Sequence, residues 1–118
     1  MKPRIYLSGP ISGHDIEERR KAFKEVQKFL EAQDWTVFNP LENGLPPEST
    51  THEHMHRDLA VLTNEDIPFK AIYMMKRWTH SAGCKLEFDV ATAIGLHVFF
   101  EEHLETLMSF IGPAIDFK

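Results

Sequence analysis

The residues best suited to chemistry are concentrated in the segment Ser81-Ala82-Gly83-Cys84-Lys85-Leu86-Glu87. A serine before a run of small residues is typical of a helix N-terminus, where free backbone N–H groups and a partial positive charge attract anions. Gly83 would let a ligand approach the backbone closely, and Glu87 follows Ser81 by six residues, ~9 Å along a helix axis. The segment suits a ligand that is held at one end and attacked further along by a carboxylate. An ordinary capped helix with a solvated glutamate is the alternative.

The run His52-Glu53-His54-Met55-His56 contains the H-E-x-x-H pattern of zinc proteases. This helix is predicted to begin at its own cap after a proline-rich loop, and no glycine-spaced third histidine follows. The favoured interpretation is a polar first helical turn, and the zinc protease ranks third among the functional hypotheses. Metal binding by His52 and His56, one turn apart, stays open, but we expect neither a functional metal nor a cofactor.

Three further candidates are weaker when taken singly. Asp58 is an exposed helix carboxylate unless its helix begins at a binding site. Cys84 lies near a helix N-terminus, where thiolates are stabilised, but no base accompanies it, so a small packed thiol is favoured. The segment Ser12-Gly13-His14 is suited to cradling a phosphate, although the Gly-x-x-x-Gly pattern that it completes lacks the lysine of a P-loop.

The elements that must position these residues alternate between strand and helix. Predicted strands cover Arg4–Leu7, Trp35–Phe38, Ile67–Met75 and Leu96–Phe100. Helices are predicted after the capping residues Asp15, Thr50 and Ser81, the third ending at Gly95, and a fourth begins at about Glu102. In each helix one apolar face is predicted to pack against the sheet. In chain order these faces consist of Ile16, Phe23, Val26 and Leu30 in the first helix, Met55, Leu59 and Leu62 in the second, Leu86, Val90, Ala93 and Ile94 in the third, and Leu104, Leu107, Met108 and Ile111 in the fourth.

This alternation predicts a single α/β domain over residues 1–118. We expect a parallel sheet in the order 2-1-3-4 with helices on both faces and right-handed crossovers. In such sheets ligands bind beyond the carboxyl ends of the strands, where the strand order reverses. The loop after the first strand and the segment from Trp78 to Cys84 are both predicted to lie there.

Composition narrows the functional classes. The net charge of −5 disfavours a nucleic-acid polymer as partner, because phosphate binding needs clustered Lys and Arg. Apolar runs reach about five residues, far short of the ~20 that span a bilayer. The opening Met1-Lys2-Pro3-Arg4 does not resemble a signal peptide, and the single cysteine favours a reducing compartment. These features predict a cytoplasmic protein without a membrane partner.

The chain resembles the nucleoside 2-deoxyribosyltransferase family, including its branch of 2′-deoxynucleoside 5′-monophosphate N-glycosidases. The resemblance covers most of the chain and rests on three segments in the same order: Tyr6-Leu7-Ser8-Gly9-Pro10, Arg57-Asp58-Leu59-Ala60-Val61-Leu62, and Ser81-Ala82-Gly83-x-x-x-Glu87 ending in Ala93-x-Gly95. It implies a flavodoxin-like (Rossmann-like) sheet and cleavage of the N-glycosidic bond through a covalent glycosyl–enzyme intermediate.

The resemblance also implies a role for each matched residue. Glu87 matches the nucleophile that attacks the anomeric carbon, Tyr6 the tyrosine that positions this carboxylate, and Asp58 the aspartate that assists the leaving base. The expected substrate-binding residues are Ser8, Gly9, Pro10, Ser12, Ser81 and Gly83, the last two at the phosphate-side turn. The family further implies homodimers or higher homo-oligomers, for which helix 2 and the C-terminal apolar residues Leu107, Met108, Phe110, Ile111 and Phe117 are interface candidates.

The chain departs from the monophosphate branch at Pro10 and Ser12, where that branch has a serine and an arginine. Lys76 and Arg77 are candidates to replace the arginine or to recognise a different ligand. The nucleoside-specific branch carries an aspartate at the position of Ser81, and a serine tolerates an anion better. We therefore expect a 5′-monophosphate with Ser81 as its principal side-chain ligand.

The leading functional hypothesis is an enzyme that cleaves the N-glycosidic bond of a nucleotide or nucleoside by hydrolysis or base transfer. The second hypothesis is a non-catalytic nucleotide-binding module with the same pocket. The placement of Tyr6, Asp58 and Glu87 relative to one cavity discriminates between them.

Overall fold

Four parallel strands form the sheet at the centre of the fold. The computed structural model describes residues 2–46 and 48–102, and its strands are β1 (Arg4–Ser8), β2 (Thr36–Phe38), β3 (Ala71–Met74) and β4 (His97–Phe100). They are hydrogen-bonded in the order β2-β1-β3-β4, with Ile5 beside Val37 on one side and Ala71 on the other. The predicted order and the parallel pairing are confirmed.

Three helices connect the strands, namely α1 (Ile16–Ala32), α2 (Thr51–Leu62) and α3 (Ala82–Ala93). Each begins at the predicted cap. The Asp15 carboxylate accepts from the first backbone N–H groups of α1, Thr50 and Glu53 form a reciprocal capping box, and the Ser81 hydroxyl accepts from the N–H of Cys84. Gly95 follows α3 with φ of +85°, a conformation that glycine adopts without strain.

The sheet separates two apolar cores, because alternate residues of each strand face opposite sides. The core beneath α1 comprises Ile5, Leu7, Phe23, Leu30, Ala71, Tyr73 and Met75. The core beneath α2 and α3 comprises Tyr6, Leu62, Phe69, Ile72, Met74, Cys84 and Ala91. Helices therefore cover both faces of the sheet, as predicted, and α2 and α3 share the face to which Tyr6 and Ser8 point.

The third strand is shorter than predicted. It begins at Ala71 and not at Ile67, which is exposed. The Asn64 side chain accepts from the N–H groups of Asp66 and Ile67, so these residues form a turn instead of entering the sheet.

The inner face of α3 is rotated from its predicted position. Leu86 and Ile94 are exposed, and the buried residues of α3 are Cys84, Glu87 and Ala91. The apolar pattern misplaced Leu86 and Ile94, and the burial of Glu87 contradicts the alternative of a solvated glutamate. At the start of α1, Ile16 is likewise exposed where the prediction had it in the core.

The predicted fourth helix and the interface candidates from Leu107 to Phe117 lie outside the described residues, and the homo-oligomer stays a prediction. Within residues 2–46 and 48–102, no helix combines the length and the apolar character needed to cross a bilayer.

Candidate active site

A cavity of about 530 Å³ opens beyond the carboxyl end of β1, where the strand order reverses. Its walls come from the loop after β1, the first turns of α1, the loop after β2, one face of α2 and the N-terminal half of α3. We call it the central cavity. This is the edge of a doubly wound sheet at which ligands bind.

Glu87 lies in the wall of the central cavity and is only 5% exposed. Both of its carboxylate oxygens accept hydrogen bonds from β1: Oε2 from the Tyr6 hydroxyl, and Oε1 from the Ser8 hydroxyl at 2.7 Å. Tyr6 and Ser8 are two residues apart on one strand and therefore point to the same face. The strand thus holds the carboxylate in one orientation while each oxygen keeps a lone pair.

Burial raises the pKa of Glu87 to about 7. The hydrogen bonds from Tyr6 and Ser8 oppose this rise because they stabilise the charged form, whereas the nearby Asp58 adds to it. The pKa of Tyr6 is raised well above its ordinary value by burial and by the adjacent Glu87. Tyr6 therefore remains protonated and keeps its donor role.

Asp58 is a second buried carboxylate in the wall of the same cavity. Its Oδ1 accepts a hydrogen bond of 3.0 Å from the Asn43 side-chain amide. Burial raises the pKa of Asp58 to about 6, against the stabilising effect of Asn43. The cavity thus holds two carboxyl groups that titrate near neutral pH, one able to attack and the other able to carry a proton.

The predicted site residues fall into two groups. Those in the wall of the central cavity are Gly9, Pro10, Ser12, Asp58, Ser81, Gly83 and Glu87. Tyr6 and Ser8 are fully buried behind Glu87. Ser8, expected to bind substrate directly, donates its hydroxyl to Glu87, so its contact is with the carboxylate.

The profile of one protein family, described as a domain of unknown function (DUF4406), matches residues 3–100. The chain belongs to this family. The match includes all four strands and every wall of the central cavity described above. No curated protein matches the chain.

Lys76 and Arg77, the two cations predicted to replace the arginine, do not line the central cavity of this DUF4406 protein. Lys76 and Arg77 line a separate cavity of about 460 Å³, together with Arg19 and several glutamates. Arg20 of α1 lines the central cavity instead, one helical turn after Ile16. The i,i+4 spacing places Ile16 and Arg20 on one face of α1, and because this face borders the open cavity Ile16 is exposed.

Asn43 and His54 also belong to the site, and sequence reasoning missed both as partners of Asp58. Asn43 follows a short 3-10 turn at Pro40–Glu42, and its amide nitrogen contacts both Asp58 and His54. An asparagine in a Gly- and Pro-rich loop is typical of turns, so no local signal distinguished it. The only signal for His54 was its one-turn spacing from Asp58.

The H-E-x-x-H pattern has a structural role. The Glu53 carboxylate accepts from the backbone N–H of Thr50 in the capping box, while His52 and His56 are exposed. No three His, Cys, Asp or Glu side chains in the described part of this DUF4406 protein form a group that could hold a metal ion.

Two smaller predictions have a clear outcome. Cys84 is buried, and burial raises the pKa of its thiol, as expected for a packed residue and not for a nucleophile. At Gly83, an added Cβ would lie 2.8 Å from the Met55 side chain. Glycine at this position therefore allows α3 to approach α2 closely. Gly83 also lines the central cavity, where close approach of a ligand was predicted.

The buried charge of Glu87 predicts a pH-dependent cost to stability. Its folded pKa of about 7 exceeds the ordinary 4.5, so the protonated form stabilises the fold at low pH and this contribution is lost as pH rises to 7. The Glu87→Gln variant stays neutral. Its free energy of unfolding, relative to the wild type, should therefore rise by about 3 kcal/mol between pH 4.5 and pH 8.

Denaturant titrations at a series of pH values measure this difference. Glu65→Gln is the matched control for replacing an exposed glutamate. A difference for Glu87→Gln that does not change with pH would contradict the buried carboxylate with a raised pKa.

Proposed function

We propose that this protein cleaves the N-glycosidic bond of a nucleoside or nucleoside 5′-monophosphate, with Glu87 as the covalent nucleophile. The observation that supports this most is the pair of buried carboxyl groups in one cavity, of which Glu87 is oriented by two hydroxyl donors. The resemblance to nucleoside 2-deoxyribosyltransferases supports the same chemistry. Most enzymes that break glycosidic bonds use a pair of carboxyl groups.

In the first step, a Glu87 oxygen attacks the anomeric carbon and forms a glycosyl ester. The C–N bond breaks, its electron pair goes to the base, and the base takes a proton from Asp58. Developing positive charge on the sugar is stabilised by the neighbouring Glu87 carboxylate. The hydrogen bonds from Tyr6 and Ser8 keep the attacking group in place without removing its negative charge.

In the second step, the Asp58 carboxylate removes a proton from water, and the oxygen attacks the anomeric carbon. The ester bond breaks, and Glu87 leaves as a carboxylate. The sum is nucleoside plus water giving sugar plus free base, and a second base in place of water gives transfer.

The far end of the sugar would lie near the N-terminus of α3. The Ser81 hydroxyl accepts from the N–H of Cys84 and lines the central cavity. Arg20 adds a cation to the same cavity, although it is exposed and paired with Glu17. These features support a 5′-monophosphate over a free nucleoside.

Chromatographic detection of free base tests the proposal. The purified protein is incubated with deoxynucleosides, ribonucleosides and their 5′-monophosphates, alone and with a second base as acceptor. We expect release from at least one substrate. Saturable binding of these ligands without release would favour the non-catalytic binding module, and neither binding nor release would refute the proposal.

The pH dependence of kcat/KM should be a narrow bell. The reactive form needs Glu87 ionised and Asp58 protonated, so activity rises as the pair loses its first proton near pH 6 and falls as the pair loses its second proton near pH 7. The pKa of Asp58 is about one unit below that of Glu87, whereas the reactive form needs Asp58 to hold the proton. About one-tenth of the singly protonated pair is therefore in the reactive form. Because the two carboxyl groups interact, the apparent pKa of each limb describes the pair and not one residue.

Initial rates from pH 4.5 to pH 9 on the best substrate measure this profile. The maximum should lie between about 6 and about 7. A rate that stays constant from pH 5 to pH 9 would contradict the assignment of the two carboxyl groups.

A further inference from the structure

The orientation of the Asn43 side-chain amide is fixed from two sides. Its Oδ1 accepts from the backbone N–H of Leu45 at 3.0 Å, and its Nδ2 donates to Asp58 Oδ1 at 3.0 Å. Exchanging the two amide atoms would place oxygen against a carboxylate oxygen and an NH₂ group against an N–H. The nitrogen therefore faces α2.

The same nitrogen fixes the protonation of His54. Asn43 Nδ2 lies 3.0 Å from His54 Nδ1. An amide nitrogen only donates, so Nδ1 must accept, and in the neutral ring the proton is then on Nε2. His54 lines the central cavity, and its Nε2 has no hydrogen-bond partner among residues 2–46 and 48–102.

Asp58 lines the same cavity as His54. Oδ1 is taken by Asn43, and Oδ2 has no partner among the described residues. No fully buried side-chain nitrogen or oxygen in the described part of the chain lacks a partner, so Oδ2 is at least partly exposed. His54 and Asp58 are four residues apart on α2, and side chains at this spacing are neighbours on one helix face.

We propose that His54 is a specificity-determining residue that donates its Nε2–H to an acceptor atom of the leaving base, and that Asn43 is the positioning residue that sets this tautomer. The ligand class is a heterocycle with a ring nitrogen or carbonyl oxygen facing α2, beside the atom that Asp58 protonates. The inference rests on the proposed function for the identity of the ligand, whereas the tautomer follows from the contacts of Asn43 alone.

Long-range ¹H–¹⁵N NMR tests the tautomer without any substrate. It distinguishes a protonated ring nitrogen from an unprotonated one, and the His54→Gln spectrum identifies His54 among the seven histidines. In the wild type at pH 8 we expect Nε2 protonated and Nδ1 unprotonated. In Asn43→Asp, a carboxylate faces Nδ1 and should move the proton there. A wild-type ring protonated at Nδ1 would overturn the proposal, and this result needs no variant of Asn43.

A matched pair of variants tests the contact with the base. In His54→Gln the amide nitrogen replaces Nε2 and keeps the donor, whereas the shorter His54→Asn places its amide near Nδ1 and leaves no donor at the cavity. On the substrate found by the release assay, His54→Asn should raise KM about tenfold, the effect of one lost hydrogen bond, with a smaller change for His54→Gln. His56→Gln, on the exposed side of α2, should match the wild type.

The outcomes separate the two proposals. Base release with equal KM for His54→Asn and the wild type overturns the role of His54 and leaves the proposed function intact. If no base is released, the proposed function fails, and binding of free heterocyclic bases to the wild type and to His54→Asn then decides the contact. Equal affinity of the two proteins for every base would overturn it.

Discussion

Glu87→Gln should lower the rate of base release by several orders of magnitude while ligand affinity is largely kept. Glutamine has the shape of glutamate, and of the hydroxyls of Tyr6 and Ser8 one can still donate to its carbonyl oxygen while the other reorients to accept from its NH₂ group. It lacks the negative charge that attacks the anomeric carbon and stabilises the oxocarbenium-like transition state. The change therefore removes an interaction made in the transition state more than one made with the bound substrate.

Initial rates and a binding isotherm on the same substrate separate these two effects. Glu65→Gln serves as the control for neutralising a glutamate at the surface, and it should behave as wild type. A 2-fluoro-2-deoxynucleoside, whose glycosyl ester is slow to hydrolyse, should add the mass of its sugar to the wild type but not to Glu87→Gln. Base release by the variant at the wild-type rate would show that Glu87 is not the nucleophile.

Signals that are local in the chain made most of the fold predictable. The side chains of Asp15, Thr50 and Ser81 each accept a hydrogen bond from a backbone N–H three residues later. Their types and spacing therefore predict the start of a helix. The parallel sheet follows from alternating strands and helices, which leave few alternative topologies. The early start assigned to β3 failed where the side chain of Asn64 competes for backbone donors.

The candidate site was predictable only in part, because its decisive contacts join distant residues. The Glu87 carboxylate meets hydroxyls that are 81 and 79 residues away in sequence, and these bonds compensate its burial. The apolar pattern, which contains no information on these contacts, turned Leu86 inward, where the structure leaves it exposed. The resemblance supplied the roles of Tyr6 and Glu87, whereas the contacts of Asn43 have no counterpart in any local pattern.

Asp58→Asn should slow base release by about 10²–10⁴-fold, the usual value of a general acid. The substituted side chain can still accept from Asn43, so the loss concerns the proton and not the position of α2. The loss should shrink to a few-fold on an N-alkylated, cationic base, because such a base leaves as a neutral molecule without being protonated. Glu87→Gln should be equally damaging with both kinds of leaving group.

The pH profile of Asp58→Asn provides an independent check on the same assignment. Its alkaline limb should disappear, since that limb reports loss of the Asp58 proton. Its acid limb should move up toward about pH 7, because in the wild type the first proton of the pair is lost mainly from Asp58, whereas in the variant this limb reports Glu87 alone. If Asp58→Asn slows the neutral and the cationic leaving groups by the same factor and keeps its alkaline limb, the proton comes from another group. In that case, Asp58 acts on the charge of Glu87 alone.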